Sequence, residues 1–202
     1  MLKNKWIYAV TALLVGWLSI TAAAYASQSD PVGLLKYIAD NMIRELRENK
    51  ATLKTKPGIV YQLAYRYVVP YADVAEMSKR VLPPKVWNSA TPAQRAQFQK
   101  EFTRLVIRTY ASALTSYKDQ EVHFFPVRGG GGSVQVNSEI TSSSSPAIRV
   151  SYRLLNKGGQ WKLYDMSVEG VSLISSFRSQ FADILANGNM DTLLSRLSKH
   201  NG

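Results

Sequence analysis

The period of the apolar residues changes near Asp119, and this change restricts the folds that the chain can adopt. Before Asp119, apolar residues recur every three or four positions, as they do in amphipathic helices. After it, they alternate with polar residues in short segments bounded by turn residues, which is typical of antiparallel strands. The sequence shows no βαβ pattern. We therefore expect an α+β fold: a curved four-stranded antiparallel sheet packed against several helices that enclose an apolar cavity.

Capping signals and prolines set the helices in the first part of the chain. Asp30, as N-cap before a proline, predicts a helix to about Lys50, and further helices are predicted over residues 59–69 and 71–82. A single turn is predicted over residues 84–89.

The longest predicted helix begins with a capping box formed by Thr91 and Gln94, with Pro92 in the first position. It is expected to reach about Tyr117, a length of about 40 Å at ~1.5 Å per residue. This length is typical either of a helix that forms the wall of a long cavity or of the main core helix of a domain.

The four predicted strands cover residues 121–128, 133–141, 147–155 and 160–168. Gly129–Gly132 and Ser142–Ser145 are predicted as loops. Helices are predicted over residues 171–186 and 191–199. Between the last strand and the first of these helices the chain turns at Gly170. Asp165 and Glu169 flank this turn, and we expect them to fix it rather than to act as an acid–base pair, because nothing nearby completes a catalytic site.

The first 26 residues are predicted to be a cleaved signal peptide. Lys3 and Lys5 precede an apolar run that ends at the small residues Ala24 and Ala26. An uncleaved membrane anchor is the alternative, since the run is long for a signal. Residues 27–202 are then expected to form a single exported domain.

The chain has 202 residues, a formal net charge of +11 and no cysteine. The absence of cysteine excludes thiol nucleophiles, thiolate metal sites and disulfides, so a packed core must supply the stability. The basic residues are scattered and mostly fall opposite the apolar stripes of the helices, so nucleic-acid binding is not expected.

The catalytic inventory is small. His123 lies on a predicted strand without a visible partner, and His200 is close to the C-terminus. No serine lies in a G-x-S-x-G motif, and no histidine and carboxylate group has metal-ligand spacing. These residues favour a binding protein over an enzyme, with no metal or cofactor.

The region around Gly170 resembles the signature of the MlaC family. The residues that carry the resemblance are Trp161, Tyr164, Asp165, Met166, Val168, Glu169, Gly170, Val171, Ser172, Leu173, Ile174, Arg178 and Phe181. The segment 87–95 and the following helix also resemble the family, so that the likeness covers nearly all of residues 27–202 in order. The Gly129–Gly132 and Ser142–Ser145 segments depart from it.

The resemblance implies a periplasmic phospholipid carrier of the Mla lipid-asymmetry pathway. Such a carrier exchanges lipid between an outer-membrane lipoprotein–porin complex and an inner-membrane ABC transporter, with the acyl chains in an apolar pocket and the headgroup near solvent. We expect it to act as a monomer, with the bound phospholipid as its cargo.

The residues expected to line the lipid pocket come from the sheet and from the long helix. They are Val150, Tyr152, Met166, Val168, Val171 and Ile174 on the sheet side, and Phe102, Leu105, Val106, Tyr110 and Leu114 on the helix side. For each, packing in a filled core is the alternative.

Two other functions remain open on the residues alone. One is a cone-shaped enzyme of the nuclear-transport-factor-like type, in which His123 would have to serve alone. The other is a periplasmic protein-interaction module with a solid core and a basic docking face.

Overall fold

The computed structural model describes residues 30–53, 55–56, 58–115 and 119–201. The expected signal peptide over residues 1–26 and the expected end of the long helix at Tyr117 lie outside these ranges.

The helices of the first part follow the expected order. They are α1 (Pro31–Glu48), α2 (Gly58–Tyr67), a 3₁₀ turn (Val69–Tyr71), α3 (Val74–Val81), α4 (Pro84–Ser89) and α5 (Pro92–Thr115). The Asp30 carboxylate accepts hydrogen bonds from the first N–H groups of α1. At the start of α5, Thr91 and Gln94 exchange backbone-to-side-chain hydrogen bonds of 2.9 and 3.2 Å, so the predicted capping box is confirmed.

Helix α3 begins three residues later than expected, because a contact with the sheet holds the preceding segment. The N–H of Asp73 donates to the carbonyl of Leu163 at 2.7 Å, and Ala72 forms a parallel bridge with the same residue. The Asp73 carboxylate then caps α3 by accepting from the N–H of Glu76 at 3.0 Å. Local propensity gives way here to a tertiary hydrogen bond.

The expected α+β fold with an antiparallel sheet is confirmed. The strands are β1 (Glu121–Phe124), β2 (Arg128–Gly130), β3 (Ser133–Ser142), β4 (Ser145–Lys157), β5 (Gln160–Val168) and β6 (Val171–Ser172). They follow the order β1-β3-β4-β5-β6, and β2 also pairs with β3.

The sheet has six strands rather than the four expected. The first predicted strand is interrupted at Pro126, which has no N–H to donate to the ladder. Gly129 and Gly130 pair with β3, so Gly131 and Gly132 alone turn this hairpin. Likewise, Ser142 pairs with Ser145, and the expected serine loop is a tight turn.

The chain returns from the sheet to helices through a turn with two residues of positive φ, Glu169 (48°) and Gly170 (82°). Val171 and Ser172 then pair with the end of β5 as β6, and the Ser172 side chain caps the next helix. Helices α6 (Leu173–Ala186) and α7 (Met190–Asn201) complete the chain. Among the described residues, none of the helices has the length and apolar content that crossing a membrane requires.

Three apolar clusters hold these elements together. The first joins α3, α5, α6 and α7 and contains the phenylalanine cluster, whose rings lie 5.4 to 6.0 Å apart. The phenylalanine cluster consists of Phe98, Phe102, Phe177 and Phe181. The second packs α1 on the sheet through Leu34, Leu35 and Val136, among others. The third joins α1, α2 and the end of α5.

Candidate functional site

An apolar cavity of about 130 Å³ lies between the helices and strand β5. Its lining residues are Ala64, Val68, Val69, Ala72, Val74, Met77, Phe102, Thr103, Val106, Ile107, Leu163, Asp165, Met166 and Leu173. The surface that these residues expose to the cavity belongs to carbon and sulfur atoms alone. Such a lining suits hydrocarbon.

Helix α5 forms the long wall of the cavity. Phe102 and Val106 lie one turn apart on it, and Thr103 and Ile107 lie beside them. Strand β5 faces this wall with Met166, among other residues. The structure therefore brings three of the predicted lining residues, Phe102, Val106 and Met166, into one cavity.

The other helix-side residues lie in packed clusters. Leu105 is buried in the first cluster, and Tyr110 packs against that cluster. Leu114 packs in the third cluster, near α1 and α2. Burial, and to a smaller degree the nearby Asp165 carboxylate, raise the pKa of Tyr110.

The other sheet-side residues form a row that leads away from the cavity. Tyr152 pairs with Met166 across the strands, and Val150 pairs with Val168. Val150 is buried, whereas Tyr152 and Val168 are half-buried.

The end of this row is exposed. Val171 pairs with Val168, and its side chain is 63 % exposed, while Ile148, two residues before Val150, is 41 % exposed. Ile174 is buried on α6 in the first cluster. The two exposed residues are the outer end of an apolar path along the sheet.

Most of the lining residues that were not predicted from the sequence lie on the short helices α2 and α3 and on the turn between them. The apolar run Val68–Val69 before a proline was a usable signal. These two valines face the cavity because Ala72 forms a bridge with Leu163. No local sequence pattern indicates this bridge.

Asp165 is 3 % exposed and holds the start of α6 against β5. Its carboxylate accepts from the N–H groups of Met166 (2.9 Å) and Ile174 (3.1 Å) and from the hydroxyl of Ser172 (2.8 Å). The Arg153 guanidinium lies 3.6 Å away. These contacts confirm the predicted turn-fixing role and leave no free carboxylate oxygen for acid–base work.

Glu169 fixes the other side of the turn. Its carboxylate accepts from the backbone N–H of Arg149 and lies 3.2 Å from the guanidinium of the same residue. The backbone hydrogen bond, followed by the contact with the guanidinium, lowers the pKa of Glu169. Glu169 therefore joins the exposed ends of β4 and β5.

Two further residues of the sequence signature, Arg178 on α6 and Tyr164 on β5, contact Arg80 of α3. The Arg178 guanidinium donates to the carbonyl oxygen of Arg80 at 3.0 and 2.6 Å. The Arg80 guanidinium lies over the ring of Tyr164, 4.5 Å from its centroid. These signature residues thus hold α6 and β5 against α3, and all three elements contribute residues to the cavity lining.

His123 is exposed on β1, where its ring meets the edge of Phe125 at 5.1 Å. It is not among the cavity-lining residues. Among the described residues, no group of three metal-binding side chains is present. The sheet pairs His123 with Glu139 of β3 and places neither residue in the apolar cavity.

A larger cleft of about 450 Å³ lies beside the interruption between β1 and β2. Its lining includes the charged residues Arg128, Glu139 and Arg149, polar residues of β3 and β4, and the apolar residues Phe125, Pro126, Val127 and Val150, the last of which was predicted to line the lipid pocket. Burying acyl chains against these charges would be unfavourable, so the smaller cavity is the better site for hydrocarbon.

The model of the MlaC protein family matches residues 36–199. The chain belongs to the MlaC family. Among the relatives of this MlaC-family chain is the toluene tolerance protein ttg2D of Pseudomonas putida. It is 30 % identical over 179 residues, which are 88 % of this chain and 81 % of the relative.

A second relative is the intermembrane phospholipid transport system binding protein MlaC of Haemophilus influenzae. It is 27 % identical over 201 residues, which are 97 % of this chain and 92 % of the relative. The name of this second relative describes a binding protein of a transport system rather than an enzyme, which supports a non-enzymatic role at the level of the family.

A solved structure shares the fold of this MlaC-family chain. It is the phospholipid-binding protein from Ralstonia solanacearum in complex with a phospholipid. The TM-score is 0.78 at 28 % identity, and the match covers 87 % of this chain and 96 % of that one.

Proposed function

We propose that this protein binds a phospholipid and carries it through the periplasm between an outer-membrane lipoprotein–porin complex and an inner-membrane ABC transporter. The observation that carries the proposal is the apolar cavity between α5 and β5, in a chain whose structural relative holds a phospholipid. In this proposal, residues 1–26 direct export and residues 27–202 are the carrier domain, which sustains the lipid asymmetry of the outer membrane.

The free energy of the cargo in water explains why such a carrier needs an apolar lining and little else. A diacyl lipid has on the order of 30 methylene groups, each worth about 0.8 kcal/mol on burial, so its exposure costs on the order of 25 kcal/mol. No nucleophile or metal is needed to offset this cost. The headgroup phosphate stays near solvent, where exposed cations attract it only weakly through screening by salt.

The cavity must widen to hold two acyl chains. Its 130 Å³ are below the roughly 300–1,000 Å³ of typical ligand pockets. It lies where Phe102 and Met77 of the first cluster approach Val68 of the third. We infer that lipid enters by separating these two clusters, because each keeps its own contacts when the gap between them opens.

The acyl chains leave the cavity along the sheet in this proposal. The path runs from Met166 past Val168 and Val150 to the exposed Val171. The eleven residues predicted to line the pocket remain a prediction. Phe102, Val106 and Met166 line the cavity, whereas Leu105, Tyr110, Leu114 and Ile174 belong to or pack against the apolar clusters without lining it.

Native mass spectrometry of the full chain, purified gently from a Gram-negative host, tests the proposal. We expect the mature chain to carry a co-purifying phospholipid mass, and lipid extraction to return the same species. A bare chain would overturn the proposal and favour an interaction module.

Two matched variants test the proposed path. Val171→Glu places a charge at the exposed end of the path, whereas Val127→Glu places it at another exposed valine, beside the charged cleft. Because both side chains are exposed, both variants should fold. We expect Val171→Glu to lower the bound lipid at least threefold, and an equal effect of Val127→Glu would exclude this path.

A further inference from the structure

Helices α5 and α7 carry a concentration of positive charge. Together they contain the cations Arg95, Lys100, Arg104, Arg108, Arg196 and Lys199 against two carboxylates, Glu101 and Asp191. Glu101 is 6 % exposed and accepts from the Asn201 amide at 2.7 Å. Asp191 accepts from the Gln94 amide at 2.7 Å. Among the described residues, neither carboxylate forms an ion pair.

The cations of α5 lie on the side of the helix away from Phe102 and Val106. Lys100, Arg104 and Arg108 are four residues apart and exposed, so they form a line about 12 Å long at ~1.5 Å per residue. Phe102 and Val106 are offset by two residues from this line, which is about 200° around the helix, whereas Ile107, which also lines the cavity, is one turn from Arg104. One helix thus carries an exposed line of cations and one wall of the cavity, and the two are adjacent at Ile107.

Helix α7 extends the charged surface and is firmly held beside α5. Arg196 and Lys199 are exposed one turn apart. The Arg108 guanidinium donates to the carbonyl oxygen of His200, and the Asn201 amide donates to the carbonyl oxygen of Glu101 at 2.9 Å. The positions of these charges are therefore set by the packing of two helices rather than by a loop.

We propose that this basic face, formed by Lys100, Arg104, Arg108, Arg196 and Lys199, docks on the surface of a bilayer that contains anionic phospholipid. The proposal rests on the proposed lipid-carrier function. Docking in this way would bring α5, which forms one wall of the cavity, against the bilayer. The cavity would then lie about one helix diameter, ~10 Å, from the lipid headgroups.

The composition of the basic face favours a bilayer over an acidic protein. Specific protein interfaces have a core of buried aromatic or aliphatic residues inside their polar rim. The large apolar side chains exposed among the described residues are Tyr65, Val127, Ile148 and Val171, all outside this face. Attraction to an anionic lipid surface needs only cations, each contributing on the order of 1 kcal/mol near the surface.

Co-sedimentation of the full-length mature protein with vesicles tests the proposal. The vesicles contain phosphatidylcholine with or without 30 % phosphatidylglycerol. We expect binding to the anionic vesicles only. The double variant Lys100→Gln/Arg104→Gln should weaken it about thirtyfold, since each cation contributes about fivefold. The control Lys36→Gln/Lys56→Gln removes the same charge from exposed positions elsewhere and should change binding less than threefold.

Equal weakening by the two double variants would overturn the proposal, because binding would then depend on net charge alone. Binding of polyglutamate tests the alternative that the basic face docks on an acidic protein. If Lys100→Gln/Arg104→Gln lost polyglutamate binding but kept vesicle binding, the face would serve an acidic protein and the bilayer proposal would fail. Mass spectrometry of co-purified lipid in the same variants separates this outcome from failure of the carrier function.

The absence of cysteine allows the orientation to be measured directly. Ser195→Cys on α7 and Ser144→Cys at the β3–β4 turn each give one labelling site in a chain with no other thiol. A fluorophore at position 195 should be quenched by a headgroup-labelled lipid more strongly than one at position 144. Stronger quenching at position 144 would show that another face docks.

Discussion

Leu105 and Val106 are consecutive residues of α5, yet they lie in different kinds of surroundings. Leu105 is buried in the first cluster, whereas Val106 is half-buried, packs against the same cluster and lines the cavity. The filled region supplies stability through close packing. Side chains that line the cavity make fewer packing contacts and contribute less stability. The unfilled space leaves room for a ligand. In the proposed function, the ligand occupies the place where packing is incomplete.

The largest effect is expected in the filled region. Phe98 is fully buried, and its ring meets those of Phe102 and Phe181. Phe98→Ala should lower the free energy of unfolding by about 3–5 kcal/mol, from lost burial and a new cavity. Urea unfolding measures this. The lipid content per folded molecule should stay near that of the wild type, and its loss would mean that the two regions are not separable.

Asp165 lies at the border of the two regions, and its removal should have the next largest effect. Asp165→Ala deprives two buried N–H groups and the Ser172 hydroxyl of their acceptor, at a cost of about 2–4 kcal/mol. Asp165→Asn keeps one acceptor oxygen and should recover part of this loss. Thermal unfolding compares the two, and equal destabilisation would show that the charge outweighs the hydrogen bonds.

A pair of phenylalanine substitutions separates filled from unfilled space directly. Leu105→Phe overpacks the first cluster and should cost about 1–3 kcal/mol. Val106→Phe fills the cavity instead, so stability should be kept or raised while bound lipid is lost. Urea unfolding and native mass spectrometry test both variants. If the two lost stability equally, Val106 would not face usable space.

The smallest expected effect concerns pH and the far wall of the cavity. The Tyr67 hydroxyl on α2 donates to the Glu45 carboxylate on α1 at 2.7 Å, and this contact lowers the pKa of Glu45 from its usual 4.5. Between the lowered folded-state pKa and pH 4.5, the unfolded chain binds more protons than the folded chain. The hydrogen bond from Tyr67 to Glu45 therefore stabilises the fold above pH 4.5. This stabilisation is lost as the pH falls through the folded-state pKa of Glu45.

Tyr67→Phe removes the donor and should reduce stability at neutral pH but not at pH 3. Unfolding midpoints between pH 3 and pH 7 measure the difference. Tyr61→Phe, in the same cluster, is the control and should show no such dependence. A pH-independent effect of Tyr67→Phe would indicate lost packing rather than a lost hydrogen bond.

The start of α5 and the turn at Gly170 could be predicted, because their signals lie close together in the sequence. The capping box at Thr91 acts within three residues, and Asp165 accepts from the N–H of Ile174, nine residues ahead. The contact of Glu169 with Arg149, 20 residues away on the paired strand, could not be predicted in this way. The delayed start of α3 could not be predicted, because it depends on Leu163, some 90 residues away.

The cavity itself was only partly predictable. Helical periodicity shows that Leu105 and Val106 both lie on the apolar side of α5, but it does not show what the opposite wall supplies. That wall consists of Val68, Leu163 and neighbouring residues brought together by tertiary contacts. The paired strands that carry the outer path were predictable from their alternation, whereas the break at Pro126 shortened the first of them.

Helix α5 contributes to two clusters at once, through Phe98, Phe102 and Leu105 near its start and Ala111 near its end. A movement that separates the clusters to admit lipid must leave this helix intact, because it is their common member. Its central amides should then exchange with solvent only by global unfolding, whereas those of α2 exchange through the smaller opening. Hydrogen-exchange protection along α5 would thus measure the stability of the whole fold, and protection along α2 the ease with which cargo enters.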